Sequence, residues 1–120
     1  MPQKLDEPKD FKIYDRDIDN KTKIALSASL ALAVDTEAMG LIHGRDRLCL
    51  IQICDELDNV ICIRVERNQD CAPNLKSMLE KQTIEKVFHF ARFDVAALAS
   101  NLNIEVNPIF CTKIASKIGR

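Results

Sequence analysis

The chain has 120 residues, with 17 basic and 18 acidic side chains and a formal net charge of −1. That is one domain with room for a real core, though small for a complete α/β enzyme, and its balanced charge excludes a global attraction to nucleic acid or membrane, so any basic surface must be local. Five cysteines, an odd number set mostly in apolar stretches, and no secretory leader predict reduced thiols and a cytoplasmic setting; no Cys or His spacing suits zinc, and no apolar run reaches the roughly 18 residues of a membrane span.

Residues 1–10, MPQKLDEPKD, are polar and hold two prolines, which predicts a loose tail. FKIYDRD alternates as an edge strand does. DIDNKTKIALSAS suits a short helix capped by Asp19 or Asn20. ALAVD then reads as a strand buried on both faces, and MGLIHGRDR as a charged connecting loop with two glycines. LCLIQIC and NVICIRV are two more strands, and the polar DELD between them is short enough for a hairpin. NLKSMLEKQ looks helical, with Leu75, Met78 and Leu79 on one face. IEKVFHF is a further strand candidate and leads into ARFDVAALASNLN, a helix on which Asp94, Leu98 and Leu102 share one stripe. IEVNPIF passes a proline, and CTKIASKIGR begins a last helix. Three consecutive strands followed by alternating helix and strand predict an α/β fold, a mixed sheet with an antiparallel meander and a parallel part, flanked by helices.

Within LALAVDTEAMG, the apolar run from Ala31 to Val34 leads directly into Asp35 and Glu37. Strand side chains alternate, so the two acids would share a face. Two readings are open at this point. The acids lie in a wet loop after the strand, or they surround a divalent cation that offsets their repulsion and lost solvation. Carboxylate oxygens are the ligands that magnesium and manganese prefer. Asp94, in HFARFD, stands in the first turn of a helix directly after a strand, where α/β sheets gather functional groups. An acid near a helix N-terminus is favourable by about 0.3–1 kcal/mol with no further role. On the stripe of Leu98 and Leu102, however, Asp94 faces inward and needs a partner. Asp35, Glu37 and Asp94 converging would give three hard oxygen ligands, a magnesium or manganese site rather than a zinc site.

DTEAMGL, RDRLCLIQIC, KVFHFARFDVAAL and CTKIAS, in that order, resemble the DEDD superfamily of 3′–5′ exonucleases, and within it the ribonuclease D-like branch. The resemblance runs from about Ile24 to Arg120, so residues 11–120 read as the N-terminal part of an exonuclease domain. It implies an RNase H-like fold and two divalent cations, Mg2+ or Mn2+. Asp35 would bridge both, Glu37 would help hold the one beside the attacking water, and Asp94 would bind the one near the leaving 3′ oxygen. A pair of metals roughly 3.5 to 4 Å apart lowers the pKa of a bound water and neutralises charge on the leaving oxygen. The implied activity is hydrolysis of phosphodiester bonds from single-stranded 3′ ends of RNA.

Around these acids Thr36, Met39, Leu41, His89, Phe90 and Arg92 are candidate nucleic-acid contacts. Met39 and Leu41 could wedge or stack against terminal bases, His89 and Phe90 could line the same cleft, and Arg92, with Arg45, Arg47 and Lys113, could meet phosphates. Each has a plainer alternative: core packing for Met39 and Leu41, a structural hydrogen bond for His89, and simple solvation for the cations.

Two departures from the family pattern matter. Cys111 stands where many members of the superfamily carry aspartate, and it is not assigned to metal binding. The third exonuclease motif, a tyrosine with an aspartate four residues later, is missing. The sole tyrosine is Tyr14, and the sole acid after Asp94 is Glu105. The expectation is therefore the front part of a longer protein, incomplete at its C-terminus, with the remaining part supplied as a second fragment or by a neighbouring molecule. Two rival functions stand beside the RNA exonuclease: a DNA proofreading-type 3′–5′ exonuclease, and a non-catalytic nucleic-acid-binding or scaffold domain, which the missing motif favours.

Overall fold

The computed structural model describes residues 10–39, 47–89 and 91–111, without the side chains of Asp10, Met39, Ala91, Arg92 and Cys111. Along the chain run β1 (Asp10–Asp15), α1 (Asn20–Leu26), β2 (Ala31–Met39), β3 (Arg47–Cys54), β4 (Asn59–Arg64), α2 (Pro73–Leu79), β5 (Glu85–Phe88), α3 (Ala91–Leu102) and β6 (Ile109–Cys111). The strands form one sheet in the order β1-β4-β3-β2-β5-β6. β2, β3 and β4 are the antiparallel meander, while β1 on β4, β5 on β2 and β6 on β5 run parallel. This is the mixed sheet expected, with FKIYDRD at its edge. Among the described residues, no helix is long and apolar enough to cross a membrane.

Alternation along the strands sorts the sheet into two unlike faces. Leu32 and Val34 of β2, Ile51 and Ile53 of β3, Ile61 and Ile63 of β4 and Phe88 of β5 point inward. Leu26 of α1, Leu75, Met78 and Leu79 of α2 and Leu98 and Leu102 of α3 cover them to make one core. The opposite face carries Ala33, Gln52 and Arg64, all exposed, and Phe11 and Ile13 of β1, 52% and 54% exposed. ALAVD is thus not buried on both faces. Its strand also continues through the acids to Met39, so Asp35 and Glu37 belong to the strand rather than to the loop after it.

Local chemistry places the helices. Asp19 caps α1, its carboxylate accepting the Thr22 amide at 2.7 Å. The N-cap of α2 is Ala72, which has no side-chain acceptor. Asp17 serves instead from the segment after β1, accepting the amides of Asn74 at 3.0 Å and Leu75 at 2.9 Å. The DELD hairpin closes on Asp55, whose carboxylate accepts the amides of Leu57 and Asn59. Tyr14 bonds through its hydroxyl to Thr22, joining β1 to α1. β6 has no counterpart in the sequence reading: three residues directly after Pro108 are too short to show a period. Cys111, expected to open the last helix, instead ends β6; the rest of that helix, residues 112–120, and residues 40–46 of the predicted loop lie outside the described residues.

Lys86 sits fully buried on the inner face, between Leu32 of β2 and Ile109 of β6. Its amine donates to the carbonyls of Lys81 and Asn107, tying the turn before β5 to the segment before β6. Burial pushes its pKa down to about 8. Between that value and the ordinary lysine range the unfolded chain holds more protons than the folded one, so stability rises with pH across this window. Urea denaturation from pH 7 to 10 should show that rise in the parent protein and its loss in Lys86→Met. The variant should also be less stable at every pH, by about 1–3 kcal/mol for each carbonyl left without a donor.

Candidate active site

The site forms where β2 outruns its neighbour. β2 pairs with β5 only from Ala31 to Ala33, and β5 ends at Phe88, whereas β2 continues to Met39. Past Ala33 both faces of β2 therefore open on that side, at the C-terminal ends of two parallel strands, where α/β folds place their ligands. A cleft of about 560 Å³ occupies the position. Ala33, Asp35, Gln52, Cys54, Val87 and His89 line it, with Val34, Thr36 and Phe88 of the inward set and Phe93 and Asp94 of α3.

Asp94 stands in the first turn of α3 and is 7% exposed. Leu98 and Leu102, one and two turns on, fix the stripe inward and bring its carboxylate against β2. There the Thr36 hydroxyl donates to Asp94 Oδ1 at 2.6 Å. Burial raises the Asp94 pKa, the Thr36 hydrogen bond works against that, and the negative charge of Asp35 adds to the rise. Asp35 is exposed and accepts the Thr36 amide at 3.1 Å. A β-bulge follows at once: Glu37 pairs with Leu50 but Ala38 with Leu48, so Cys49 is the extra residue. The Cys49 thiol donates to the Glu37 carbonyl at 3.3 Å. Bulges of this kind re-aim side chains beside functional sites.

A family model described as 3′–5′ exonuclease matches residues 11–119. The chain belongs to that family. Ribonuclease D of Sphingobium indicum is 30% identical over 102 residues, which cover 82% of this chain and 26% of that protein. NrnC of Brucella melitensis is 40% identical and matches with a TM-score of 0.82 over 91% of this chain and 52% of NrnC. NrnC is also known with bound Mg2+ and bound to pGG. Escherichia coli RNase D, 23% identical, shares the fold with a TM-score of 0.74, over 92% of this chain and 30% of its own. The ribonuclease D-like kinship and the RNase H-like sheet expected from the motifs both hold. The chain spans about a quarter of the Sphingobium protein and about half of NrnC.

In this member of the family the structure brings Asp35, Thr36, His89 and Asp94 to one cleft. Glu37 lies on the same strand face as Asp35 and is exposed, but it does not line the cleft. Among the described residues, no three or more His, Cys, Asp or Glu side chains are grouped to hold a metal ion. The donor set at Asp35 and Asp94 still fits a hard cation. Two carboxylates share a cleft, one buried and destabilised by the charge of the other, and a cation offsets that cost. Arg47 is committed elsewhere, its guanidinium donating to the Val65 carbonyl at 3.2 Å. The side chains of Met39 and Arg92, and residues Leu41, Arg45, Phe90, Cys111's side chain and Lys113, lie outside the description. Sequence reading passed over Gln52 and Phe93. The signal for Gln52 was available, as the one polar residue of the strand LCLIQIC.

A carboxylate whose folded pKa is raised costs stability at neutral pH, and that cost vanishes in acid once the group is protonated in both states. With a chelator present, Asp94→Asn should have a higher Tm than the parent at pH 7 and lose the advantage below the ordinary carboxylate range, as followed by circular dichroism.

Proposed function

We propose that this chain carries the first two acidic motifs of a metal-dependent 3′–5′ exoribonuclease of the ribonuclease D type. The observation that carries the reading is the shared cleft of Asp35 and Asp94, in a chain of this family. Asp35 and Asp94, with Glu37 beside them, would hold two divalent cations, Mg2+ or Mn2+. Bound there, such ions supply a water of lowered pKa and neutralise charge on the leaving 3′ oxygen. The Mg2+ bound by NrnC of Brucella supports the cation, and its pGG supports a nucleic-acid strand as the substrate.

The remaining residues hold and exclude. Thr36 fixes the Asp94 carboxylate from below. Phe93, exposed in the cleft wall, offers a flat face on which a terminal base can stack, and His89 lines the same cleft. RNA with a single-stranded 3′ end fits an open cleft at a sheet end. The open sheet face, with Phe11, Ile13 and Phe110 exposed, supports the further reading that more polypeptide of the same protein, as a covalent continuation, a second fragment or part of a neighbouring molecule, covers it and brings the third motif. A cytoplasmic setting belongs to the same proposal.

The test is digestion of a 5′-labelled RNA with a single-stranded 3′ end by the intact protein with Mg2+ or Mn2+. The expected result is a ladder shortened from the 3′ end, abolished by chelator and reduced at least about 100-fold by Asp35→Asn or Asp94→Asn. Equal or faster digestion of the deoxy strand would favour the proofreading-type reading. Strand binding without cleavage, with affinity unchanged by Asp35→Asn, would favour a non-catalytic binding domain.

A further inference from the structure

Gln52 is the cross-strand partner of Asp35 in the β2–β3 register. Directly opposed residues of an antiparallel pair have Cβ atoms about 4.5–5.5 Å apart on one face, so a side chain with one further methylene before its carboxamide is long enough to reach the Asp35 carboxylate. Both residues line the same cleft. Gln52 is exposed, and its side-chain amide has no hydrogen-bond partner among the described residues. Its neighbours on that face of β3 are Leu50 and Cys54, and across β4 it meets Cys62. None of the three is a strong donor.

From this juxtaposition we infer that Gln52 is a positioning residue for Asp35. With a cation in the cleft, its Nε2–H would donate to Oδ1, the oxygen that already accepts the Thr36 amide, fixing the plane of the carboxylate and leaving Oδ2 directed into the cleft. The inference rests on the reading of Asp35 as a metal ligand. Ligating carboxylates that lose such an outer hydrogen bond bind metal about 10–100-fold more weakly.

The experiment compares Mn2+ affinity, by electron paramagnetic resonance of free Mn2+ without substrate, in the parent protein, Gln52→Leu and Asp35→Asn. Expected are a loss of about 10–100-fold in Gln52→Leu, a larger loss in Asp35→Asn, and no drop in urea stability for Gln52→Leu. In the cleavage assay Gln52→Leu should lower kcat and leave the KM for RNA nearly unchanged. Parental Mn2+ affinity in Gln52→Leu alongside a loss in Asp35→Asn would overturn the role of Gln52 and leave the metal reading intact. Parental affinity in both variants would overturn the metal reading itself. A raised KM with unchanged Mn2+ affinity would make Gln52 a substrate contact and overturn positioning.

Discussion

The hydroxyl of Thr36 donating to Asp94 joins strand to helix, and the site depends on that contact. β2 has Leu32 and Val34 pinned in the core, which by alternation directs Thr36 inward and Asp35 outward. α3 has Leu98 and Leu102 pinned in the same core, which directs Asp94 back toward β2. Two acids on opposite sides of one strand would ordinarily never share a ligand. They share a cleft here because β5 stops at Phe88 while β2 goes on, so the strand presents both faces where the sheet is one neighbour short.

That arrangement costs stability and is held in place by the rest of the fold. Asp94 is buried beside a like charge, and one hydroxyl only partly offsets the penalty. Groups poised in this way are characteristic of functional clefts. The support lies elsewhere: a core of aliphatic side chains from three helices and the sheet, the Asp17 carboxylate capping α2 from outside, and the Lys86 amine binding two segments at the far side of β5. The sheet's other face, with its exposed phenylalanines, carries none of that support.

Much of this was legible from residues alone because it follows from period and end chemistry. The Asp19 cap, the Leu75, Met78, Leu79 face and the Asp94, Leu98, Leu102 stripe are helical spacing read directly. The DELD hairpin is turn chemistry. What escaped depends on tertiary pairing. An apolar run such as ALAV cannot tell whether its second face is covered, and Ala33 proved exposed. β6 is too short to carry a pattern, and Gln52 matters only through the register that sets it against Asp35. Asp94 and Asp35 were read as partners from their places in two motifs, and the structure sets them in one cleft. Glu37, read with them, stands just beyond its lining.

Paramagnetic broadening of backbone amide signals on titration with Mn2+ tests the central claim most directly, that the cleft of Asp35 and Asp94 holds a divalent cation. The account predicts that the amides of Thr36, Glu37 and Asp94 broaden first, at substoichiometric Mn2+, and that Asp94→Asn abolishes the effect. Broadening that begins instead at a second surface depression, lined by Glu80 and Glu105 with Lys76, or that is unchanged by Asp94→Asn, would contradict it.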